Sequence, residues 1–187
     1  MPTRRDVALG LPASALLAAL PGVAAAQDTF TQDEIVAAAS DALDSTAGAV
    51  AAAVERIFRE NGRPVGYVQG EEGSGAWGFG LRYGQGLLFL KSGERADVFW
   101  QGPSFGWDFG GNASKVFTLV YGMTNSSQIY RRFPGVEGSA YFIGGIGVNY
   151  QRAEDLTLAP MRAGVGLRGG ANVGYLAYSR KRRINPF

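Results

Sequence analysis

Ala76-Trp-Gly-Phe-Gly-Leu-Arg-Tyr-Gly-Gln-Gly-Leu-Leu-Phe-Leu-Lys91 is the stretch that decides the fold. Aromatic and aliphatic residues recur over strand-length segments with glycine between them, and no helical apolar period runs through. It reads as two strands, 76–83 and 86–91. Glycine makes up 28 of 187 residues, about twice the usual share of ~7%. Trp, Tyr and Phe add 12%. Glycine set among aromatics relieves crowding at bends and bulges, so the composition points to a tightly curved sheet rather than a linker.

The same pattern extends both ways. Strand candidates are 65–69 upstream, then 96–101, 104–109, 115–121, 139–150, 155–159, 162–168 and 171–179, separated by turn chemistry such as Ser92-Gly93-Glu94 and Gly110-Gly111-Asn112. One interruption is expected. Thr124 to Ser127 offers caps, 128–133 fits a helical turn, and Pro134-Gly135 ends it. Pro103 to Asn112 and Pro160 to Asn172 resemble each other in Pro, spaced glycines and a closing Gly-Gly with Asn, a weak internal duplication. Before the strands, 27–62 is Ala-rich and free of Pro. A short helix over 33–43 is expected. Ser45 or Thr46 caps a second, on which Val50, Val54, Ile57 and Phe58 share one face, and Asn61-Gly62 with Pro64 stops it. That face is read as packing against the sheet, because the polar face is not rich in Lys or Arg as a membrane-surface helix would be. The fold class is therefore mainly β: a small soluble antiparallel barrel or strongly coiled sheet preceded by one or two helices.

Residues 1–26 have the layout of an export signal. Arg4 and Arg5 form a basic head, 7–20 is an apolar run too short to span a bilayer, and Ala24-Ala25-Ala26 precedes Gln27 as a cleavage site. Thr3-Arg4-Arg5-Asp6-Val7 also resembles the twin-arginine motif, leaving the Sec and twin-arginine routes both open. The expected organisation is a cleaved signal over 1–26, a helical segment over 27–63 and a Gly/aromatic-rich barrel over 64–187, in the periplasm. Removing the leader takes two Arg and one Asp from 18 basic and 16 acidic residues, leaving a net charge of +1. That balance argues against a nucleic-acid partner, and no other segment is long and apolar enough for a transmembrane helix.

The chain has neither Cys nor His. This excludes disulfides, a thiolate nucleophile, a Ser-His-Asp triad and His-ligated metal, and leaves carboxylates, Lys or Tyr for any catalysis. No cofactor is expected. Gly73-Ser-Gly-Ala-Trp-Gly78 has dinucleotide-loop spacing, but strand pattern rather than a helix follows it. Among carboxylates, Glu71-Glu72 and Glu154-Asp155 read as solvated charges. Asp108, between Trp107 and Phe109, is the candidate for a carboxylate-based hydrolase acting on envelope polysaccharide, although strand alternation turns it away from its neighbours. Trp77, Tyr83, Trp100, Trp107 and Tyr141, with Asp108, are the candidate ligand-binding residues, against the plainer reading of core packing. Arg180, Lys181, Arg182 and Arg183 form a basic cluster suited to an anionic membrane surface. Phe187 matches the terminal aromatic of outer-membrane barrels, but such barrels need strands of ~9–11 residues, longer than most candidates here.

Taken together, Gly73-Ser-Gly75, Leu81-Arg-Tyr-Gly84, Val98-Phe-Trp-Gln-Gly-Pro103, Gly106-Trp-Asp-Phe-Gly110, Gly138-Ser-Ala140, Leu158-Ala-Pro160, Gly164-Val-Gly166, Asn172-Val-Gly-Tyr-Leu176 and Asn185-Pro-Phe187 resemble the bacterial envelope integrity protein A family. The resemblance covers about 65–187. It implies a small soluble periplasmic β-barrel that supports envelope integrity and stress resistance, without catalytic residues to carry over. A more distant similarity, in the glycine-spaced strands, is to SYLF lipid-binding domains. It implies contact with a lipid or glycolipid. The other implied partner is another periplasmic protein.

Overall fold

The computed structural model describes residues 28–77, 79–105, 114–163 and 174–183. Two helices come first. α1 (Gln32–Leu43) begins with a capping box in which Glu34 N–H donates to Thr31 Oγ1 (3.3 Å) and Thr31 N–H to Glu34 Oε2 (2.8 Å). α2 (Ala47–Asn61) is capped by Thr46, whose Oγ1 accepts from Ala49 N–H, and it stops at Gly62 with φ +75°. Its buried residues, Val50, Ala53, Val54 and Ile57, are one helical stripe.

Ten strands follow: β1 (Gly66–Trp77), β2 (Phe79–Leu90), β3 (Arg95–Phe105), β4 (Ser114–Tyr121), β5 (Arg132–Pro134), β6 (Tyr141–Ile143), β7 (Ile146–Val148), β8 (Gln151–Ala153), β9 (Leu156–Ala163) and β10 (Tyr175–Ser179). Every pairing is antiparallel. Around the ring the order is β5-β10-β3-β2-β1-β4-β9. The free edge of β9 takes β8 at Leu156–Leu158 and β7 at Met161–Ala163. Among the described residues a single antiparallel bridge, Gly135 to Gln151, joins the end of β5 to β8 and closes the barrel.

Alternation then sorts the side chains. Val68, Leu88, Leu90, Val98, Trp100, Val116, Val120, Leu158, Leu176 and Tyr178 fill the interior as one buried cluster. Odd-numbered neighbours face outward. Tyr67, Phe117, Leu119, Ala159 and Met161 meet Ile146, Val148 and the apolar stripes of α1 and α2 in a second buried cluster. The helices therefore cover the outer face of β1, β4 and β9, which accounts for an apolar stripe without a basic polar face. Close strand approach requires glycine at two places. A Cβ on Gly70 would collide with the backbone of Gln85 and Gly86, and one on Gly84 would strike the Trp100 indole.

Several expectations need correction. Residues 96–101 and 104–109 were expected as separate strands, but Arg95–Phe105 is continuous through Pro103. The expected strand 139–150 is the β6–β7 hairpin, turned by Gly144 and Gly145, both at positive φ. The expected helical turn over 128–133 is a 3₁₀ turn at Ser126–Ile129, and the chain is back in a strand by Arg132. β1, β2 and β3 run 12, 12 and 11 residues, so strand length does not separate this barrel from membrane barrels. The helix layer over its outer wall does. The proposed repeat reaches 106–112 and 164–172, outside the described residues.

Candidate functional site

Two polar assemblies rise above ordinary packing. The first is inside the barrel, where β1, β2 and β9 each turn one charged side chain inward. Arg162 donates from Nε to Glu72 Oε1 (2.5 Å) and from Nη2 to Oε2 (3.3 Å), while its Nη1 reaches Asn149 Oδ1 (2.8 Å). Arg82 Nη1 lies 3.5 Å from Glu72 Oε1, and Trp100 Nε1–H donates to Glu72 Oε2 (3.1 Å). Burial alone would raise the Glu72 pKa. The Arg162 and Arg82 guanidiniums, with the hydrogen bonds from Arg162 and Trp100, outweigh it and hold the carboxyl below its ordinary value. Burial would lower the Arg162 pKa, and Glu72 reverses that too. A carboxylate fixed as an ionised acceptor between cations is not poised to move a proton. This cluster locks the barrel.

The second assembly lies on the outer wall, on the β2–β3–β10 side that the helices leave open. A groove of about 480 Å³ is lined by Tyr130, Arg131, Arg132, Arg180, Lys181 and Arg183, with Gln101 and Ser179 at its border. Arg180 lies over the Tyr130 ring (4.8 Å to the centroid) and Arg132 over Tyr175 (5.3 Å). Arg131 Nη1 pairs with Glu154 (2.6 Å). Adjoining the groove, a cleft of about 210 Å³ is lined by Glu71, Tyr83, Gln85, Phe99 and Gln101 on the outer sheet face, by Glu72 where the sheet is thin, and by Arg182 and Arg183 from the segment after β10. Gln101, Ser179 and Arg183 border both.

The expected site residues are thus divided. Tyr83 and the basic cluster meet at this outer face. Trp100 lies on the opposite, inner side of β3, 3% exposed and 5.9 Å from Tyr178, and meets the cleft only where Gly84 leaves the sheet thin. Tyr141 lies elsewhere, in the helix-covered layer, with Arg56 over its ring at 3.7 Å and its hydroxyl 3.3 Å from that of Tyr150. Trp107, Asp108 and the Trp77 side chain lie outside the described residues. Other members escape the sequence reading, Glu72, Arg131 and Arg132 among them. Glu72, read with Glu71 as a solvated charge, is 5% exposed; counting by twos from Val68 would have placed it inward. Arg131 and Arg132 were assigned to a helical turn instead of the rim of a basic groove. Among the described residues there is no cluster of three or more acids able to hold a metal ion, and no helix is long and apolar enough to cross a membrane.

The model of the envelope integrity protein A family matches residues 28–187. The chain belongs to that family. The chain is also similar to a solved structure, a β-barrel-like, uncharacterised protein from Brucella abortus. The two are 47% identical with a TM-score of 0.78, over 85% of this chain and 99% of that one. No match to a curated protein was found.

Proposed function

We propose that this protein supports cell-envelope integrity from the periplasm as a binding protein without bond-breaking activity, holding an envelope lipid or glycolipid against its helix-free outer wall. The family supplies the envelope role. The observation that carries the rest is the groove whose lining, among the described residues, holds five cations and no carboxylate, bordered by a cleft of Tyr83 and Phe99 that also carries Glu71. Cations near an anionic surface contribute about 1 kcal/mol each, and the Arg180 and Arg132 guanidiniums are held over rings rather than swinging freely. Packed side chains occupy the interior, which favours an external site over an enclosed one. In this reading residues 1–26 are removed after Ala26 on export. N-terminal sequencing of the periplasmic protein tests that step, and a chain still beginning at Met1 would refute it.

The binding role is tested in cells. A strain lacking the protein is complemented with the chain in which Arg180, Lys181, Arg182 and Arg183 are all changed to Gln. Failure to restore resistance to envelope stress, at normal protein level, is the expected outcome. Full complementation would remove the proposed face from function.

A further inference from the structure

We infer that the outer face binds a phosphorylated sugar, its phosphate in the groove of Arg131, Arg132, Arg180, Lys181 and Arg183 and its ring on the adjoining cleft. The inference rests on the proposed binding role and names the ligand chemistry. Its first basis is the sheet register. Tyr83 pairs with Gln101 and Gln85 with Phe99 across β2 and β3, and all four face outward along one cleft. Two aromatic rings and two amides therefore alternate on a two-by-two grid. Ring faces pack against the apolar C–H face of a sugar, and amides match its hydroxyls as both donors and acceptors. A cleft made for an acyl chain alone would gain nothing from the exposed Gln85, since an amide covered by hydrocarbon loses its water partners.

The second basis is charge. Glu154, bonded to Arg131, and Glu94 and Asp97, which lie near Tyr130, are the acids beside the groove. Set against its five cations, they leave an excess of two positive charges. The cleft adds Arg182 and Glu71, which cancel, while its Glu72 is held by Arg82 and Arg162, so the excess of two stands across both hollows. Arg180 and Arg132, stacked on Tyr130 and Tyr175, keep their planar forks oriented for two-point contact with a phosphate. The third basis is continuity. Arg183, Gln101 and Ser179 border both hollows, so one ligand reaches both. The same phosphosugar chemistry is found free and on lipid headgroups.

The test uses ¹⁵N-labelled protein as isolated from cells, titrated at constant ionic strength with glucosamine 6-phosphate, glucosamine and inorganic phosphate. Glucosamine 6-phosphate is expected to bind at least ten-fold tighter than either fragment, shifting amides at Tyr83, Phe99, Gln101 and Ser179. Arg180→Gln/Arg183→Gln, exposed substitutions, should weaken it at least ten-fold. Tyr83→Ala should reduce the preference over inorganic phosphate. Sedimentation with phosphatidylcholine vesicles, with and without a bisphosphorylated diglucosamine lipid, assigns the source. Selective pelleting with the glycolipid supports the headgroup, and sugar-phosphate binding without pelleting supports the free form. No saturable response to either, or inorganic phosphate binding as tightly as the sugar phosphate, overturns the inference. If that happens while the four-Gln chain still fails to complement, the ligand chemistry is wrong and the binding role stands.

Discussion

Glu72 shows how much one inward-facing carboxylate contributes to this barrel. It accepts from Arg162 and Trp100 and lies beside Arg82, with Glu72 and both arginines buried. Removing one partner of a buried ion pair strands the other, at a cost of about 3–5 kcal/mol. Glu72→Ala should therefore lower the melting temperature by roughly 6–20 °C for a chain of this size, read by calorimetry. The pH dependence follows from the lowered Glu72 pKa. A carboxyl depressed in the folded state stabilises fully above its unfolded value of about 4.3 and loses that contribution as pH falls through the lower folded value. Glu34, held at about 2 chiefly by the Lys91 hydrogen bond, adds to the same acid limb. Glu72→Gln should thus flatten the loss of stability below the ordinary carboxylate range without abolishing it, as followed by urea unfolding from pH 7 to pH 3. At Gly84, a single added methyl meets the Trp100 indole. Overpacking costs typically about 1–3 kcal/mol, so Gly84→Ala should destabilise by that amount and shift tryptophan emission.

The elements were legible to different degrees, for local reasons. The α2 stripe and its Thr46 cap could be read because cap chemistry and 3.6-residue spacing are local signals. Glycine and aromatic alternation marks this region as strand, but β1 runs on past the expected end at 69 to Trp77, and β2 is continuous where 76–83 and 86–91 are expected as two strands. Pro103 suggests a break where the sheet carries straight through. The sheet tolerates proline there because the described β10–β3 ladder ends at Gln101, which leaves β3 paired only with β2 at Pro103. The β6–β7 hairpin was hidden because Gly144-Gly145 reads equally as strand relief or as a turn, and only its positive φ angles decide. Ile57, fully buried where α2 meets the outer wall, is the strongest test of the helix layer. Ile57→Ala should cost about 2–5 kcal/mol. Amide exchange should quicken across β4 and β9 if the layer and barrel are one cooperative unit, whereas exchange quickening only within α2 would make them separate.

At the scale of the molecule, the barrel has one covered wall and one open wall, and its basic groove belongs to the open one. Net charge hid this arrangement. A near-neutral total conceals the gathering of cations from two distant segments, 131–132 and 180–183, which meet only because β5 pairs with β10. Attraction of this kind is screened as the Debye length falls from about 10 Å at 0.1 M salt to about 3 Å at 1 M. Pelleting of the protein with vesicles carrying the anionic glycolipid should therefore decline steeply over that range. Retention unchanged at 1 M would place binding on apolar contact instead.

The closing bridge between Gly135 and Gln151 has a mechanical consequence. Long strands form most of the cylinder, yet its two rims meet through three-residue β5 and β8, with the Gln151 amide buried and lacking a side-chain hydrogen bond among the described residues. A hoop fastened at one narrow joint parts there before it tears elsewhere. The groove cations all stand on the β5–β10 side of that joint, and among the described residues only Arg131 reaches across it, to Glu154, so parting the hoop would strip Arg131 of its acid partner while the pairing of β5 with β10 kept the groove together.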